Sequence, residues 1–317
     1  MSEPRRREKV ERPIIEAHGL TKFYGEGLGL NGVELAIGPG ITGLLGPNGA
    51  GKSTLLWTIA GQLRPSRGEC RVYGEKVPGG AELRRKMGMC PEADGFYWEM
   101  SGWGFVEAMA RLSGLTKPEA RRRTGEVLEQ MGLTEIGGRE VRTYSRGERG
   151  RLKLAQALVG DPQLLLLDEP LAGADPVGRS EVIELIRGLA RTGRDVVVSS
   201  HVLDEVEAFT DTVVMMFRGR VIAEGRIEAI REMLEEHPHQ VVIVCGEPGR
   251  LARELMESED VVSCRTVSST TLEVHTRKAA EFYTRLPKVL ARGKYEVREI
   301  RAGDDSLEAV FRYLTER

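Results

Sequence analysis

Residues 46–54 decide the fold of this chain, because they form a complete glycine-rich loop between an apolar strand and a helix. They are Gly46, Pro47, Asn48, Gly49, Ala50, Gly51, Lys52, Ser53 and Thr54. The preceding run, Ile41 to Leu45, is typical of a buried strand, and Leu55 to Ala60 suits the first turns of a helix. Glycines at this spacing let successive backbone N–H groups point at one anion, and the helix adds the positive end of its dipole. The stretch therefore predicts a loop that binds the phosphates of a nucleoside triphosphate.

Two side chains of this loop have specific predicted tasks. Lys52 would reach the β- and γ-phosphates, and the hydroxyl of Ser53 would hold Mg²⁺. The alternative is a glycine-rich turn that carries a lysine by chance, and the intact spacing with both flanks argues against it. We therefore expect a triphosphate and Mg²⁺ to bind together here.

The composition is that of an ordinary soluble globular protein with room for two domains. The chain has 317 residues, of which 40% are apolar and 30% charged, and its formal net charge is −2. This balance gives no reason to expect nucleic acid or anionic lipid as the main partner. The cysteines have no metal-ligand spacing, and unpaired cysteines in such a protein favour the cytoplasm. They are Cys70, Cys90, Cys245 and Cys264.

The N-terminus reads MSEPRRREKVER, which is charged and lacks the apolar region of a secretory signal. Residues 1–12 are therefore expected to be a solvated tail. No apolar run in the sequence is long enough to span a bilayer. We expect the chain to reach a membrane only through another subunit.

Strand-like and helix-like segments alternate between residues 13 and 235, which we take as one domain. The predicted strands are Ile14–Ala17, Gly32–Ile37, Ile41–Leu45, Cys70–Tyr73, Met87–Cys90, Gln163–Leu167 and Asp195–Ser199, followed by a hairpin of Val213–Phe217 and Arg220–Ala223. Helices are predicted at 176–189 and 203–209. Fully apolar strands that alternate with helices indicate a mainly parallel sheet covered by helices. A longer helical stretch, from Trp103 to Thr143, predicts a separate helical subdomain.

Residues 236–317 predict a second, smaller domain. Its order is strand, helix, two strands, helix, strand and a last helix. The predicted elements are Val241–Cys245, Gly249–Met256, Val261–Val267, Thr271–His275, Ala279–Ala291, Glu296–Ile300 and Ser306–Thr315. A βαββαβ order fits a small two-layer α+β unit. No chemistry is recognisable in it, and His237 and His239 are too isolated to predict a metal site.

The apolar run Leu164 to Leu167 leads directly into Asp168, Glu169 and a proline. Carboxylates at the carboxyl end of a buried parallel strand lie where open α/β sheets place their ligands. Asp168 would coordinate Mg²⁺, and Glu169 would orient or deprotonate an attacking water. A strand-end charge pair is the usual explanation of such residues, but the phosphate-binding loop favours a hydrolytic site.

These motifs, in this order over Ile14 to Gly225, resemble the nucleotide-binding subunit of an ABC transporter. Residues 143–158 read TYSRGERGRLKLAQAL and resemble the signature of that family. The resemblance implies that Ser145 and Gly147 bind the γ-phosphate of a nucleotide held by the opposite subunit. Ser145 and Glu148 also form a capping-box pattern, and both interpretations can hold, since a capped helix start is an anion site.

The signature departs from the family at two positions. Arg146 replaces the usual first glycine, and Glu148 replaces the usual glutamine. A carboxylate near a γ-phosphate would repel it unless the side chain turns back onto its own backbone. Closure of a nucleotide-bound dimer depends on which orientation Glu148 takes.

The resemblance implies further site residues. Tyr24 matches the aromatic residue that stacks on adenine, with Phe23 as the alternative and a plain exposed tyrosine as the simpler explanation. Glu92 stands where the family has a glutamine near Mg²⁺ and the attacking water; a carboxylate can still ligate the metal but cannot donate a hydrogen bond. His201 matches the histidine that contacts the γ-phosphate and supports Glu169.

The fold implied by the resemblance is α/β, a P-loop NTPase (RecA-like) core with antiparallel β and helical subdomains, followed by the small C-terminal α+β domain. The implied activity is ATP hydrolysis, with ATP and Mg²⁺ bound and Lys52, Glu169 and His201 catalytic. Two copies would meet head to tail and drive a transmembrane permease subunit. The chain would then lie in the cytoplasm, peripheral at the inner face of the cell membrane, and no nucleic acid partner is expected.

The stretch 96–103 contains two of the three tryptophans of the chain, Trp98 and Trp103. In the family this region contacts the permease, and core packing of the helical subdomain is an equal alternative for any one residue. Two other functions stay open: a soluble ABC ATPase that acts on ribosomes or DNA, and a regulatory or self-protection module that binds ATP with weak turnover. Tandem ATPase halves or a long coiled-coil insert would favour the first, and neither is present.

Overall fold

The computed structural model describes residues 12–228 and 239–302. The chain forms two compact units that divide between Arg226 and Ile227. The predicted domain boundary at 235/236 lies outside the described residues, as does nearly all of the predicted tail 1–12. The domain limits 1–12, 13–235 and 236–317 therefore stay predictions.

The first unit begins with a four-stranded antiparallel sheet in the order β2-β1-β4-β5. Its strands are β1 (Ile15–Tyr24), β2 (Gly27–Ile37), β4 (Arg67–Val72) and β5 (Glu75–Val77). The first two are longer than predicted, because β1 continues through irregularities in its pairing with β2 after Ala17 and after Leu20. Gly19, with φ of 58°, lies at the first of these irregularities, where a glycine adopts the left-handed conformation without strain. Gly19, which in the sequence looks like the end of a strand, therefore lies inside a bulged hairpin.

The second sheet of this unit is the six-stranded core, in the order β10-β9-β3-β8-β7-β6. Its strands are β3 (Ile41–Leu45), β6 (Met87–Cys90), β7 (Leu164–Leu167), β8 (Asp195–Ser200), β9 (Thr212–Phe217) and β10 (Arg220–Arg226). All neighbours are parallel except the β9–β10 hairpin. Every residue of β7 is buried, as expected for a parallel strand covered on both faces. The predicted parallel sheet and its closing hairpin are confirmed.

Seven helices accompany these sheets in the described part of the first unit. They are α1 (Lys52–Ile59), α2 (Ala81–Arg85), α3 (Gly102–Leu112), α4 (Lys117–Gln130), α5 (Arg146–Leu158), α6 (Pro176–Arg191) and α7 (Leu203–Glu207). Helices α3 and α4 lie in the predicted helical stretch from Trp103 to Thr143, and α5, which lies beyond it, packs on both and extends the helical subdomain. Helix α4 begins where the sequence predicted a break, because Thr116 and Glu119 form a capping box there.

The part of the second unit in residues 239–302 is a four-stranded antiparallel sheet with two helices. Its elements are β11 (His239–Cys245), α8 (Pro248–Leu255), β12 (Val261–Thr266), β13 (Thr271–Thr276), α9 (Ala279–Gly293) and β14 (Val297–Ala302). The strand order is β12-β13-β11-β14. Its core includes Ile243, Leu251, Val274 and Phe282, all fully buried. The predicted βαββαβ order is confirmed, and the last predicted helix, 306–315, lies outside the described residues.

Across 12–228 and 239–302, none of the helices combines the length and apolar character that crossing a membrane requires.

Candidate nucleotide-binding and catalytic site

The phosphate-binding loop leaves β3 and enters α1 in a conformation that requires glycine. Gly51 has φ of 102°, and a Cβ at this position would lie 2.6 Å from the backbone oxygen of Gly29. Gly51 is also the N-cap of α1, and neither a capping side chain nor an acidic residue occupies the first turn of that helix. The first N–H groups of α1 therefore have no acidic side chain of their own helix turn next to them, which suits the binding of phosphate.

The ammonium of Lys52 lies buried at the base of this loop. Its Nζ donates a hydrogen bond of 2.6 Å to the backbone oxygen of Gly46 and lies 3.2 Å from Oε1 of Glu169. Both side chains are less than a tenth exposed, at 6% and 7%. Within the described residues Oε1 of Glu169 accepts no hydrogen bond, so its contact with Lys52 is an electrostatic one. A buried carboxylate oxygen without a donor is suited to accept a hydrogen bond from a water or a ligand.

Asp168 and Glu169 follow β7 directly, and a buried serine of β8 joins them. The hydroxyl of Ser199 donates to Oδ1 of Asp168 at 2.7 Å and accepts from the backbone N–H of Glu169 at 2.9 Å. Ser199 is fully buried, and Glu169 has φ of 46°. This hydroxyl therefore helps to hold the turn that directs Glu169 towards Lys52, together with the backbone hydrogen bond from the Asp168 N–H to the oxygen of Cys90.

Sequence reasoning missed Ser199 as a site residue. A signal was available, since it ends a predicted parallel strand just before His201, at the edge of the sheet where ligands bind. It could not be tested from the sequence, because the pairing of β8 with β7 is not a local property.

His201 follows β8 and completes the cluster. Its Nδ1 lies 3.0 Å from Oε2 of Glu169, and its side chain is 49% exposed. The three predicted catalytic residues, Lys52, Glu169 and His201, are therefore in direct contact. They come together because β3, β8 and β7 are adjacent in the sheet, although the chain visits them in the order β3, β7, β8.

Tyr24, at the end of β1, lies next to the phosphate-binding loop. Its hydroxyl is 3.5 Å from Oγ1 of Thr54, and the residue is 50% exposed. Phe23, the alternative, lies instead under the guanidinium of Arg67, at 6.0 Å from the ring centroid. The Tyr24 ring also has a cation near it, with Nζ of Lys22 5.5 Å from its centroid. The contact with Thr54 favours Tyr24 over Phe23, and its contact with adenine stays a prediction.

The residues predicted to hold Mg²⁺ supply only oxygen atoms. Ser53 lies half-buried in the first turn of α1, Asp168 is buried at the end of β7, and Glu92 is exposed two residues after the adjacent strand β6. The described residues contain no group of three or more His, Cys, Asp or Glu side chains that could hold a metal. An oxygen-only set with few protein ligands fits Mg²⁺, which is usually held by one or two carboxylates together with the phosphates of a substrate.

Ser145 and Gly147 begin helix α5, which packs on α3, α4 and β6. The Ser145 hydroxyl accepts from the backbone N–H of Glu148 at 3.2 Å, and the Ser145 N–H donates to Oε2 of Glu148 at 2.6 Å. The backbone N–H of Ser145 lowers the pKa of the Glu148 carboxyl, which is turned back onto the chain. Among the described residues, no hydrogen bond joins Ser145 to Lys52, Glu169 or His201.

The aromatic stretch 96–103 divides between core and surface. Phe96 is buried and packs edge-to-face on Phe105, with ring centroids 5.1 Å apart. Trp98 and Trp103 are 40% and 36% exposed. Core packing explains Phe96, and a role of the tryptophans at an interface stays a prediction.

Comparison with known proteins identifies the family of this chain. The family model described as "ABC transporter" matches residues 30–172. The daunorubicin/doxorubicin resistance ATP-binding protein DrrA of Streptomyces peucetius is 33% identical over 95% of this chain and 92% of its own length. The bacitracin transport ATP-binding protein BcrA of Enterococcus faecalis is 30% identical over 94% of this chain and 95% of its own length.

Solved structures agree as well. An ATP-binding subunit of an ABC transporter is 27% identical, with a TM-score of 0.62, and the match covers 70% of this chain and 93% of that one. A bacterial ABC transporter cassette solved as a dimer is 25% identical, with a TM-score of 0.62 and coverage of 67% and 98%. The chain therefore belongs to the ABC transporter family, as one of its ATP-binding, ATP-hydrolysing subunits.

Proposed function

We propose that two copies of this chain bind two molecules of Mg²⁺·ATP head to tail, and that hydrolysis drives a separate membrane permease. The contact of Lys52 with Glu169 and of Glu169 with His201, at 3.2 and 3.0 Å, is the observation that supports it most. Ser145 and Gly147 lie on a different element, so a second copy would bring them to the nucleotide. The related cassette solved as a dimer supports this arrangement.

The order of events follows from the position of Lys52. Phosphate oxygens of bound ATP would compete with the Glu169 carboxylate for the ammonium, which already lies at the loop. Once Lys52 turns to the β- and γ-phosphates, Oε1 of Glu169 is released to accept a hydrogen bond from the attacking water. His201 remains on Oε2 and holds the carboxylate in place. Nucleotide binding would therefore remove the ammonium from Oε1 of Glu169 and leave the contact with His201 in place.

Ser53, Asp168 and Glu92 would hold Mg²⁺ in this site. The bound ion would offset the negative charge of the phosphates. The hydroxyl of Ser199 fixes one oxygen of Asp168 and so determines how that carboxylate faces the site. Glu148, turned back onto Ser145, would present less negative charge to the γ-phosphate of the partner copy than an extended carboxylate would.

The permease is proposed to dock in a groove between the core sheet and the helical subdomain. This groove has a volume of about 510 Å³, and its lining includes the edge strand β6, helix α2 and the end of α3. Its lining includes the partly exposed Met87, Met89 and Met109, with Leu112 at 80% exposure. Methionine-rich grooves suit an amphipathic helix. Docking there would place the chain in the cytoplasm, at the inner face of the cell membrane.

The direction of transport is proposed to be outward. The relatives named for drug resistance and for bacitracin transport match this chain over nearly its whole length, which includes the C-terminal unit. Their names support a role in the export of an organic compound.

Complementation between two inactive variants tests the head-to-tail dimer. Lys52→Ala removes the phosphate-loop half of each site, and Ser145→Ala the signature half, so each variant alone should lack ATPase activity. A mixed dimer restores one complete site, and an equimolar mixture should recover about a quarter of wild-type activity, since half the dimers are mixed and each has one site of two. Glu169→Gln serves as the inactive control, with no recovery when it is mixed with Lys52→Ala. No recovery in the first mixture would contradict the shared site.

A further inference from the structure

The segment that follows β6 is joined to helix α5 by two cations on consecutive turns of that helix. Lys153 donates from Nζ to the backbone oxygen of Glu92 at 2.6 Å and lies 3.4 Å from Oδ1 of Asp94. Arg149 places Nε 3.1 Å from Oδ2 of the same carboxylate. The side chains of Asp94, Arg149 and Lys153 are only 31%, 22% and 12% exposed. Salt screens such pairs less than it screens pairs at an open surface.

Arg149 has further partners that extend this connection in both directions. Its Nη1 donates to the backbone oxygen of Tyr144 at 2.8 Å, and its guanidinium carbon lies 5.8 Å from the centroid of the Trp98 ring. Its backbone N–H donates to the oxygen of Ser145 at 2.9 Å. One arginine therefore ties residues 94–98 to the first turn of α5, where Ser145 lies.

The other end of the same segment is held by the catalytic strand. The backbone oxygen of Cys90 accepts from the N–H of Asp168 at 2.8 Å. Since Lys153 holds the oxygen of Glu92, only Pro91 separates the two fixed points, and the ring of a proline fixes φ. The backbone between Cys90 and Glu92 therefore has little conformational freedom. A displacement of α5 relative to β7 must change the position of Glu92.

We propose that Asp94, Arg149 and Lys153 are positioning residues, a clamp that transmits the position of α5 to Glu92. The inference rests on the proposed function, in which Glu92 holds Mg²⁺ and α5 presents Ser145 to the nucleotide of the partner copy. The clamp then couples Mg²⁺ binding at Glu92 to closure of the dimer. Such coupling is reciprocal: if closure strengthens Mg²⁺ binding by a given factor, Mg²⁺ strengthens closure by the same factor.

The test measures this coupling directly. Full-length chain with Glu169→Gln, which prevents turnover, is compared with the same chain carrying Asp94→Asn. The ATP-dependent dimerisation constant is measured by sedimentation velocity at trace and at saturating Mg²⁺. The Mg²⁺ ratio is the association constant at saturating Mg²⁺ divided by that at trace Mg²⁺. This ratio should fall at least about fivefold with Asp94→Asn, because the amide keeps the shape of the side chain but loses the charge that holds both cations.

A matched control involves another cation of α5, Arg151. Glu181→Gln removes the pair between Arg151 of α5 and Glu181 of α6, at 3.2 Å, without touching the segment after β6. This variant should keep the parent ratio. Arg149→Lys is the second test variant, since it keeps a charge for Asp94 but loses the contacts with Tyr144 and Trp98. It should lower the ratio by a smaller factor than Asp94→Asn does.

Two results would overturn the inference in distinguishable ways. If Asp94→Asn and Arg149→Lys both keep the Mg²⁺ ratio of the Glu169→Gln parent, even with a lowered melting temperature, the contacts of the clamp are purely structural. Failure of the Glu169→Gln parent to form dimers with ATP at any Mg²⁺ concentration would refute the proposed function itself. The expected ratio change in both clamp variants, with none in Glu181→Gln, supports the clamp.

Discussion

Ser199→Ala removes one hydroxyl from the centre of the site and should lower both stability and turnover. Ser199 is fully buried and makes two hydrogen bonds, to the carboxylate of Asp168 and from the N–H of Glu169. Alanine leaves both partners buried without a replacement. The variant therefore tests whether the hydroxyl orients the two acidic residues or merely fills space.

The magnitude follows from these two contacts. A hydrogen bond to a charged group contributes about 1.5–3 kcal/mol and a neutral one about 0.5–1.5 kcal/mol, which gives a loss of about 2–4.5 kcal/mol in the free energy of unfolding. For a domain of this size that corresponds to a fall of about 4–18 °C in melting temperature. If losing the hydroxyl also raises the activation free energy of hydrolysis by about 1.4 kcal/mol, kcat falls about tenfold.

The neighbouring residue provides a matched control. Ser200 is 2% exposed; its hydroxyl donates to Glu205 at 2.6 Å and accepts from the N–H of Val202 at 3.0 Å. Ser200→Ala should lower the melting temperature by a similar amount and leave kcat within about threefold of wild type, since its partners are not site residues. Calorimetry and a steady-state ATPase assay of the purified full-length variants measure both quantities.

Equal kcat values for Ser199→Ala and Ser200→Ala, with equal losses of stability, would refute the positioning role of Ser199. An unchanged melting temperature in Ser199→Ala would refute the energetic reasoning as well, because it would mean that the orphaned Asp168 and Glu169 groups find other partners at no cost.

Three further variants test neighbouring features. Glu148→Gln keeps an acceptor for the Ser145 N–H and removes a charge, so ATP-dependent dimerisation should tighten about two- to tenfold in sedimentation; weaker dimers would contradict this. Glu92→Gln adds a hydrogen-bond donor beside the attacking water and should raise kcat severalfold, whereas a lower kcat would favour the carboxylate as the required ligand. Tyr73→Phe removes the 2.8 Å hydrogen bond to Asp195 and should cost about 1.5–3 kcal/mol of unfolding free energy in urea titration, with ATPase activity per folded molecule unchanged.

The extent of the antiparallel sheet was less predictable than the core. The sequence placed a strand end at the glycines after Ala17, whereas β1 runs on to Tyr24 through irregular pairing with β2. A glycine inside a bulged strand and a glycine in a turn have the same local signature, and only the partner strand distinguishes them. The core strands were located closely, because burial on both faces gives each a continuous apolar run.

The orientation of Glu148 also depended on structure. Its spacing from Ser145 predicts a capping box, but the same carboxylate could have extended towards a neighbouring copy. The hydrogen bond to the Ser145 N–H settles the orientation within this chain.

The sequence by itself determined the phosphate-binding loop, the acidic pair after β7 and the alternation that builds a parallel core. These depend on local spacing: glycines where φ is positive, an apolar run before a polar turn, and a capped helix start. The tertiary structure alone decided that Lys52 contacts Glu169, that Ser199 joins Asp168 to Glu169, and that Asp94 lies between two cations of α5. Each of these contacts joins residues distant in sequence. They arise because the sheet orders its strands β3-β8-β7-β6, an order that no local pattern encodes.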